Sequence, residues 1–269
     1  MKLIILVDNY TATDKRFLGE PGLSYWIETD GKNILFDVGF SDIFIKNAKK
    51  LNIDLSKTNY IVLSHGHNDH ATGLKFFPYP SKKIFLITHP DCLLPKYLSD
   101  DYYIGSPVLL EEANENFHYI KSKEPYFITP NIVFLGEIAE KYDFEKRKPI
   151  GYTIRNNQKE PDLLLDDSAM AIKTKEGIVI VTGCSHSGIC NIIATTKEIF
   201  KGEQIYSVIG GFHLRKETEE KLKKVVEVFK EEVIGPIYPA HCTDFRARCF
   251  LAKYLNTEEV FVSKEIKFD

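Results

Sequence analysis

The sequence predicts an α/β protein in which two packed β-sheets are flanked by helices, a four-layer sandwich within one domain. Short apolar strands alternate with helical segments in the first third of the chain and again from Ser168 onward, the pattern of sheets covered by helices. Of the 269 residues, 43% are hydrophobic. A folded chain of this length buries roughly 73% of its extended surface, so we expect a complete core that needs neither disulfides nor metals.

The first ninety residues contain the clearest strand signals. Five segments are short, apolar and rich in β-branched residues: Leu3–Val7, Ser24–Thr29, Asn33–Asp37, Tyr60–Leu63 and Lys83–Thr88. Asp30-Gly31 separates the second segment from the third and favours a tight hairpin turn. Apolar residues at helical spacing predict a helix over Ser41–Leu51. A shorter helix is expected over Ala71–Phe77, because Pro78 ends it.

Residues 90–161 form an irregular region. Prolines stand at positions 90, 95, 107, 125, 130, 149 and 161. Only short strand-like pieces lie between them, such as Phe117–Lys121 and Ile132–Leu135. Such a segment suits an insertion that shapes the active-site cleft of a single domain spanning residues 1–269. The alternative is a variable surface region without a role.

Regular patterning returns at Ser168. Strands are predicted at Ser168–Thr174, Ile178–Val181, Ile205–Ile209 and Ile237–Pro239. Helices are predicted at Gly188–Phe200, at Lys216–Glu232 and after Thr243 to about Leu255. Each of the last three strands is followed by a turn and a helix, so this half predicts a second sheet with its own helical layer.

Composition excludes several classes of protein. Lys and Arg number 35 against 38 Asp and Glu, a net charge of −3, so the chain lacks the basic field of a nucleic-acid-binding protein. It contains no run of eighteen apolar residues, so no membrane span is expected, and its short apolar start is unlike a signal peptide. Five cysteines without a Cys-x-x-Cys pair then favour reduced thiols in the cytoplasm.

The most informative motif is His-x-His-x-Asp-His, a run of four candidate ligands: His65, His67, Asp69 and His70. It follows a predicted strand directly, and Gly66 permits a tight turn there. The first two histidines can face one cation, while the aspartate and the last histidine, at the start of the next helix, can reach a second. Neutral imidazoles and a carboxylate suit zinc, iron or manganese. The motif therefore predicts a site for divalent metal ions.

Four ligands in one loop cannot complete two metal sites, so further ligands must come from elsewhere. Three other histidines follow short apolar strands at turns that contain glycine or proline: His186, His213 and His241. A metal cluster at one sheet edge recruits its ligands from such strand ends, so His186 and His241 are predicted ligands. His213 is predicted as either a ligand or a substrate contact. His89 and His118 are predicted to be structural or surface residues.

Seven motifs run in order along the chain: Leu6-Val-Asp-Asn9, Gly22-Leu-Ser24, Ile34-Leu-Phe-Asp-Val-Gly39, Leu63-Ser-His-Gly-His-Asn-Asp-His70, Thr182-Gly-Cys-Ser-His-Ser-Gly188, Gly210-Gly-Phe-His-Leu214 and Ala240-His-Cys-Thr243. This set resembles the metallo-β-lactamase superfamily, whose αββα sandwich carries the histidine–aspartate motif at a sheet edge. Within it, the set resembles the branch of 7,8-dihydropterin-6-methyl-4-(β-D-ribofuranosyl)-aminobenzene-5′-phosphate synthases and dihydropteroate-synthase-like metal-dependent hydrolases. The motifs are specific for the superfamily and weak evidence for a substrate.

The resemblance implies a role for each candidate residue. The implied ligands of two divalent metals, with zinc expected and manganese or iron as alternatives, are His65, His67 and His186 at one site and Asp69, His70 and His241 at the other. Asp37 would orient a ligand imidazole. Asp69 and His213 are the implied catalytic residues. Asp8, Asn9 and His213 are the candidate substrate contacts; for Asp8 and Asn9, at the end of the first strand, the alternative is a surface turn.

The sequence departs from the superfamily pattern at two positions. Where a bridging aspartate commonly follows a glycine, this chain has Gly183-Cys184. The Cys184 thiol either ligates a metal or packs beneath His186, which leaves the bridging group open. The second departure is Pro21, which stands where the branch often has a histidine.

The resemblance further implies a metal-dependent enzyme with a small anionic or phosphorylated substrate. Bound metal lowers the pKa of water and polarises an electrophile, which serves both phosphoester hydrolysis and a pterin condensation that releases pyrophosphate. The alternatives are a di-iron redox protein, a nuclease-like phosphodiesterase and a metal-binding module that has lost catalysis. The length leaves no room for a flavin domain, and Lys216–Lys230 alternates Lys with Glu as a solvated helix does. These features disfavour the first two alternatives, and the intact motif disfavours the third.

Overall fold

The chain folds around two large β-sheets, and the computed structural model describes residues 1–78, 83–108 and 110–269. Within these residues the strands are β1 (Lys2–Val7), β2 (Ser24–Thr29), β3 (Lys32–Phe36), β4 (Tyr60–Val62), β5 (Phe85–Thr88), β6 (Lys96–Ser99), β7 (Tyr102–Tyr103), β8 (His118–Lys121), β9 (Tyr126–Thr129), β10 (Ile132–Phe134), β11 (Tyr152–Arg155), β12 (Gln158–Pro161), β13 (Ala169–Lys173), β14 (Ile178–Thr182), β15 (Ile205–Gly211), β16 (Ile237–Ala240) and β17 (Glu265–Lys267).

The helices are short, apart from two on the second half of the chain. In the same described ranges the α-helices are α1 (Ile43–Lys50), α2 (Asn68–Ala71), α3 (Leu110–Asn116), α4 (Ile189–Ile199), α5 (Glu219–Glu232) and α6 (Phe245–Ala252). Short 3-10 helices lie at Leu55–Lys57, Thr72–Phe76 and Asp143–Glu145. No helix among the described residues combines the length and the apolar character that crossing a membrane requires.

The two large sheets each combine antiparallel and parallel strands. The first sheet has the strand order β17-β1-β2-β3-β4-β5-β8, and the second has the order β16-β15-β14-β13-β10-β9. Strands β3, β4, β5 and β8 are parallel neighbours, as are β14, β15 and β16. Parallel neighbours need crossover connections. Helices α1 to α5 lie in these crossovers, and α6 follows β16. The site loops come from the ends of these parallel strands.

Three apolar layers of side chains separate four layers of secondary structure. Successive residues of β1 alternate, so that Leu3 and Ile5 pack between the sheets while Ile4 and Leu6 pack on the α1 side. The outer face of the second sheet packs against apolar residues of α4, α5 and α6, such as Phe229 of α5. The structure is therefore the αββα sandwich that the sequence predicts.

The first predicted hairpin forms as expected. β2 and β3 pair antiparallel, with Thr29 opposite Lys32 at the turn. Asp30 and Gly31 have φ angles of 49° and 69°, the left-handed values that a tight type I′ turn requires at both central residues.

Residues 90–161, predicted as an insertion, are only in part separate from the large sheets. β8 is the edge strand of the first sheet, and β9 and β10 complete the second. The remaining strands of the region form a small third sheet with the order β12-β11-β6-β7. An isolated bridge between His67 and Gly105 connects this region to the histidine motif. The predicted boundaries thus enclose core strands as well as a sheet beside the site.

Candidate metal centre

The histidine motif spans the loop after β4 and the first residues of α2. His67 is the residue before α2 and has extended backbone, while Asp69 and His70 lie inside that short helix. Gly66 has no room for a side chain, because a Cβ there would lie 1.7 Å from the carbonyl oxygen of Cys92. The structure has no turn at Gly66 and no left-handed φ there, so the prediction of a tight turn is wrong, and the glycine is required by close packing against the chain that follows β5.

The first group of candidate ligands is His65, His67 and His186, whose ligand atoms lie within 4.8 Å of one another. Nε2 of His65, Nε2 of His67 and both ring nitrogens of His186 are buried, without a hydrogen-bond partner in the described part of the chain. Burial lowers the pKa of all three rings, that of His67 to about 4. Neutral imidazoles with buried, unpaired nitrogens are what a metal site requires.

The second group is Asp69, His70 and His241, again within 4.8 Å of one another. His70 Nε2 and His241 Nε2 are 3.2 Å apart, and Asp69 Oδ2 lies 3.3 Å from His241 Nε2. Burial lowers the pKa of His70, but the Asp69 and Asp37 carboxylates outweigh it and raise this pKa to about 9. Burial raises the pKa of Asp69, and the adjacent imidazoles more than reverse it. This group therefore favours a positive charge, which a metal cation would supply.

Two polar side chains fix the rings of the second group. Asp37 Oδ2 accepts from His70 Nδ1 at 2.7 Å and from the Ser64 hydroxyl at 2.7 Å. Asn9 Oδ1 accepts from His241 Nδ1 at 2.8 Å. Each bond places a proton on Nδ1 and leaves Nε2 facing the other ligands, the arrangement that orients metal-binding histidines. Asp37 therefore holds the ring of His70 in one orientation.

Asp8 and Asn9, the candidate substrate contacts after β1, lie in different surroundings. Asp8 is fully buried, and its carboxylate accepts from the backbone N–H groups of Tyr10 and His241, both at 3.0 Å. It holds the turn after β16 and is not among the residues that line the cleft, and its role as a substrate contact stays a prediction. Asn9 is exposed at the cleft, but its side chain is bonded to His241.

His213 follows β15 and lies beside the first group. Its ring centroid is 4.3 Å from that of His186, and its buried Nδ1 has no partner among the described residues. Burial lowers the pKa of His213, but contact with the Cys242 thiol outweighs it and raises the value. The position is compatible with both predicted roles, ligand and substrate contact.

Backbone strain is concentrated at this centre. Four residues around it have left-handed φ angles without being glycine: Asp37 at 53°, Ser185 at 57°, His213 at 51° and His241 at 45°. Such conformations are unfavourable for residues with a Cβ and accumulate at functional sites, where the surrounding structure enforces them.

Sequence reasoning missed a buried ion-pair cluster that supports the motif loop. Lys96 Nζ donates to Asp162 at 3.0 Å and to Asp166 at 2.9 Å, and all three residues are buried. The other oxygen of Asp166 accepts from the backbone N–H of Gly66 at 2.8 Å. A lysine of the third sheet therefore holds the backbone between His65 and His67 through one carboxylate.

Asp167 was missed as well and supports the opposite side. Its Oδ2 accepts from the backbone N–H and the hydroxyl of Ser187, at 2.9 Å and 2.5 Å. It thereby fixes the loop that presents His186. One signal in the sequence could have pointed to both acids: Asp166-Asp167 is an acidic pair directly after the apolar run Leu163–Leu165. Aspartates that are buried beside apolar residues are almost always paired with a hydrogen-bond donor or a cation.

A cleft of about 560 Å³ opens over both ligand groups, and Arg215 and Phe245 contribute to its walls. A second pocket of about 240 Å³ adjoins it and shares three lining residues with it: Ile150, His186 and His213. This side pocket combines apolar residues with charged residues of both signs: Phe144, Leu164, Phe212 and Leu214 with Lys146, Lys148, Lys221, Glu145 and Glu217. Lys146 and Lys221 each have an acidic partner, Asp143 and Glu217, so the pocket has apolar walls and mixed charge.

Comparison with known proteins assigns the family. The model of the metallo-β-lactamase superfamily matches residues 18–200. The chain belongs to this superfamily. It is 31% identical to the 7,8-dihydropterin-6-methyl-4-(β-D-ribofuranosyl)-aminobenzene-5′-phosphate synthase of Methanocaldococcus jannaschii, over 100% of this chain and 97% of that protein.

Solved structures agree with this assignment. The crystal structure of Tm1679, a metal-dependent hydrolase of the β-lactamase superfamily, matches with a TM-score of 0.85 and 31% identity over 99% of this chain and 98% of that one. Zn²⁺-bound PqqB from Methylobacterium extorquens matches with a TM-score of 0.61 and 11% identity, over 99% and 100% of the two chains. The latter likeness concerns the fold alone. Members of the metallo-β-lactamase superfamily bind metal ions, and the two ligand groups have the donor atoms for this.

Proposed function

We propose that this chain is a metal-dependent enzyme that joins a dihydropterin pyrophosphate to a phosphorylated aromatic amine and releases pyrophosphate. The observation that carries the proposal is the pair of ligand groups with unpaired, buried imidazole nitrogens. The full-length similarity to a pterin-related synthase supports the choice of substrate. The partner is thus a small phosphorylated molecule, and we propose neither a nucleic-acid nor a membrane partner for this cytoplasmic reaction.

The residues present fit two divalent ions, for which we propose zinc, with manganese or iron as alternatives. His65, His67 and His186 would hold one ion, and Asp69, His70 and His241 the other. When bound, the metals supply Lewis-acid polarisation of a phosphate oxygen and a water of lowered pKa.

In the proposed condensation, the amine nitrogen forms a bond to the methylene carbon of the pterin. The bond between that carbon and the pyrophosphate oxygen breaks, and the amine loses a proton to solvent. The side chain of Asp69 is 28% exposed and has a pKa below its usual range. It therefore suits orienting the amine by accepting a hydrogen bond better than removing its proton. His213 and Arg215 would donate hydrogen bonds to phosphate oxygens.

Hydrolysis of a phosphoester is the second candidate, because Tm1679 is described as a hydrolase and matches over nearly its whole length. Polarisation of a phosphate oxygen would serve both reactions. The condensation joins the amine nitrogen to carbon, whereas in hydrolysis a water oxygen bonds to phosphorus and the bond from phosphorus to the leaving alcohol oxygen breaks. In hydrolysis, Asp69 would orient a water molecule in place of the amine.

The experiment that separates the two candidates supplies the purified protein with zinc, manganese or iron(II). The substrates are 6-hydroxymethyl-7,8-dihydropterin pyrophosphate and 4-(β-D-ribofuranosyl)aminobenzene 5′-phosphate, together and singly. Condensation predicts pyrophosphate release and a joined product only when both are present. Release of phosphate or pyrophosphate from a single substrate would support hydrolysis, and no turnover with any metal would contradict both candidates.

Two variants connect this activity to the metal centre. His67→Ala and His241→Ala remove one ligand from each group, and we expect both to lose bound metal and activity while remaining folded. The matched control is His118→Ala, since His118 lies exposed on β8. Retained activity in either ligand variant, with the metal lost, would contradict the proposal.

A further inference from the structure

Cys184 lies between the two ligand groups. Its Sγ is 3.2 Å from His70 Nε2. It lies within 4.8 Å of ligand atoms from three pairs of residues: His65 and His70, His186 and His213, and His241 and Cys242. The thiol is thus close to histidines of both proposed metal sites.

The backbone holds this thiol in place. Gly183, at the end of β14, packs so closely on the motif loop that a Cβ would lie 2.0 Å from Ser64 Oγ and 2.9 Å from Asp37 Oδ2. Cys184 follows directly and is 4% exposed. A rigid strand end therefore delivers Sγ to the same point that the motif loop reaches from the other sheet.

The surroundings of Cys184 differ from those of Cys92 and Cys190, which pack in the apolar core. Cys92 and Cys190 belong to the apolar layers of the first and second sheets, among aliphatic side chains. Cys184 is part of none of the three apolar layers, and nitrogen and sulfur atoms surround its Sγ instead. A buried thiol that only filled space would be expected among hydrocarbon groups.

We propose that Cys184 is a thiolate ligand that bridges the two metals, in the place where the superfamily commonly has an aspartate. On metal binding the S–H bond breaks, its proton passes to solvent, and the sulfur donates lone pairs to the cations with no change of oxidation state. A thiolate favours zinc, iron(II) and cobalt(II) over harder ions such as manganese and magnesium. Cys184 would then set which metal the enzyme accepts.

The proposal rests on the dinuclear centre of the proposed function, and cobalt(II) tests it without any substrate. Cobalt(II) is titrated into the metal-free protein, and the near-ultraviolet thiolate-to-cobalt charge-transfer band is recorded with the metal stoichiometry. Wild type is expected to bind two ions and to develop the band. Cys184→Ser is expected to lose the band and to bind at least one ion about 100-fold more weakly or worse, since removing only an outer partner of a ligand already costs about 10–100-fold.

Three further variants make the outcome decisive. Cys242→Ser and the buried control Cys190→Ser should both keep the band, whereas Cys184→Asp should restore two-metal binding without it and shift preference toward manganese. A wild-type complex without the band would overturn the proposal even if every variant misfolded. So would a band that survives in Cys184→Ser and disappears in Cys242→Ser. Two cobalt ions with the band, but no turnover of any pterin substrate, would leave this proposal standing and contradict the proposed reaction.

Discussion

Replacement of Glu145 by glutamine tests the electrostatics of the side pocket next to the metal centre. Glu145 is 5% exposed, and its Oε2 accepts from the backbone N–H groups of Cys190 and Asn191, at 2.8 Å and 3.1 Å. Burial raises its pKa from 4.5 to about 7, against the smaller opposing effect of these N–H groups. Glutamine keeps an acceptor for both groups and cannot ionise.

The expected change in unfolding free energy follows from the difference between the pKa of Glu145 in the folded and in the unfolded chain. The folded chain holds this proton more tightly, so the stability that the neutral carboxyl contributes is present below pH 4.5 and is lost as the pH rises through about 7. A difference of about 2.5 units, at about 1.4 kcal/mol per unit, corresponds to about 3 kcal/mol. We therefore expect Glu145→Gln to gain about 3 kcal/mol in unfolding free energy relative to wild type between pH 4.5 and pH 8.

The assay is urea unfolding of the metal-free protein at several pH values in that range. The quantity compared is the difference in unfolding free energy between variant and wild type. Burial also raises the pKa of Asp8 and of Asp167 to about 6, and their contribution to the pH dependence cancels in this difference. Glu231→Gln, an exposed change on α5, is the control and should give a difference independent of pH. A Glu145→Gln difference that varies by less than about 0.5 kcal/mol over the range would refute the reasoning.

Two other changes test the support of the motif loop. Lys96→Met leaves Asp162 and Asp166 buried without their cation and should cost about 3–5 kcal/mol of unfolding free energy. Adding Asp162→Asn should recover part of this loss in urea unfolding, and a double variant less stable than Lys96→Met would contradict the ion-pair account. Asp37→Asn keeps the size and shape of the side chain but weakens its hydrogen bond to His70 Nδ1. Zinc affinity should therefore fall about 10–100-fold in a competition titration. Unchanged affinity would show that the Asp37–His70 bond is not needed for metal binding.

Most of the elements and candidate ligands that the sequence predicts are recognised from residues that are close together in the chain. The four candidate ligands of the histidine motif lie within residues 65–70. The hairpin turn is predicted from the two adjacent residues Asp30 and Gly31 alone. His186 and His241 were predicted as ligands because each follows a short apolar strand at a turn, a context that is also visible locally. The geometry then brings each of them to a different pair of motif ligands.

Contacts between residues that are far apart in the chain could not be predicted from the sequence. Lys96 contacts a carboxylate 70 positions away, and Asp8 bonds a backbone group 233 positions away. Nothing near Asp8 distinguishes a carboxylate that caps a buried turn from one that faces a cleft. β17 escaped prediction for a similar reason, because its three residues hold only one buried position, Ile266, and it is fixed by pairing with β1.

The two ligand groups are shared between the sheets in the same way. Each combines two residues of the histidine motif, which follows β4 of the first sheet, with one histidine that follows a strand of the second sheet. Bound metals would therefore tie the sheets together at one edge, while the apolar layer between the sheets, which contains none of these ligands, holds the remainder. Chelation should thus leave the sandwich folded and increase hydrogen exchange only at residues 64–70, 183–188 and 240–243. Equal loss of protection in β2 and β14 would mean that the sandwich itself depends on the metals.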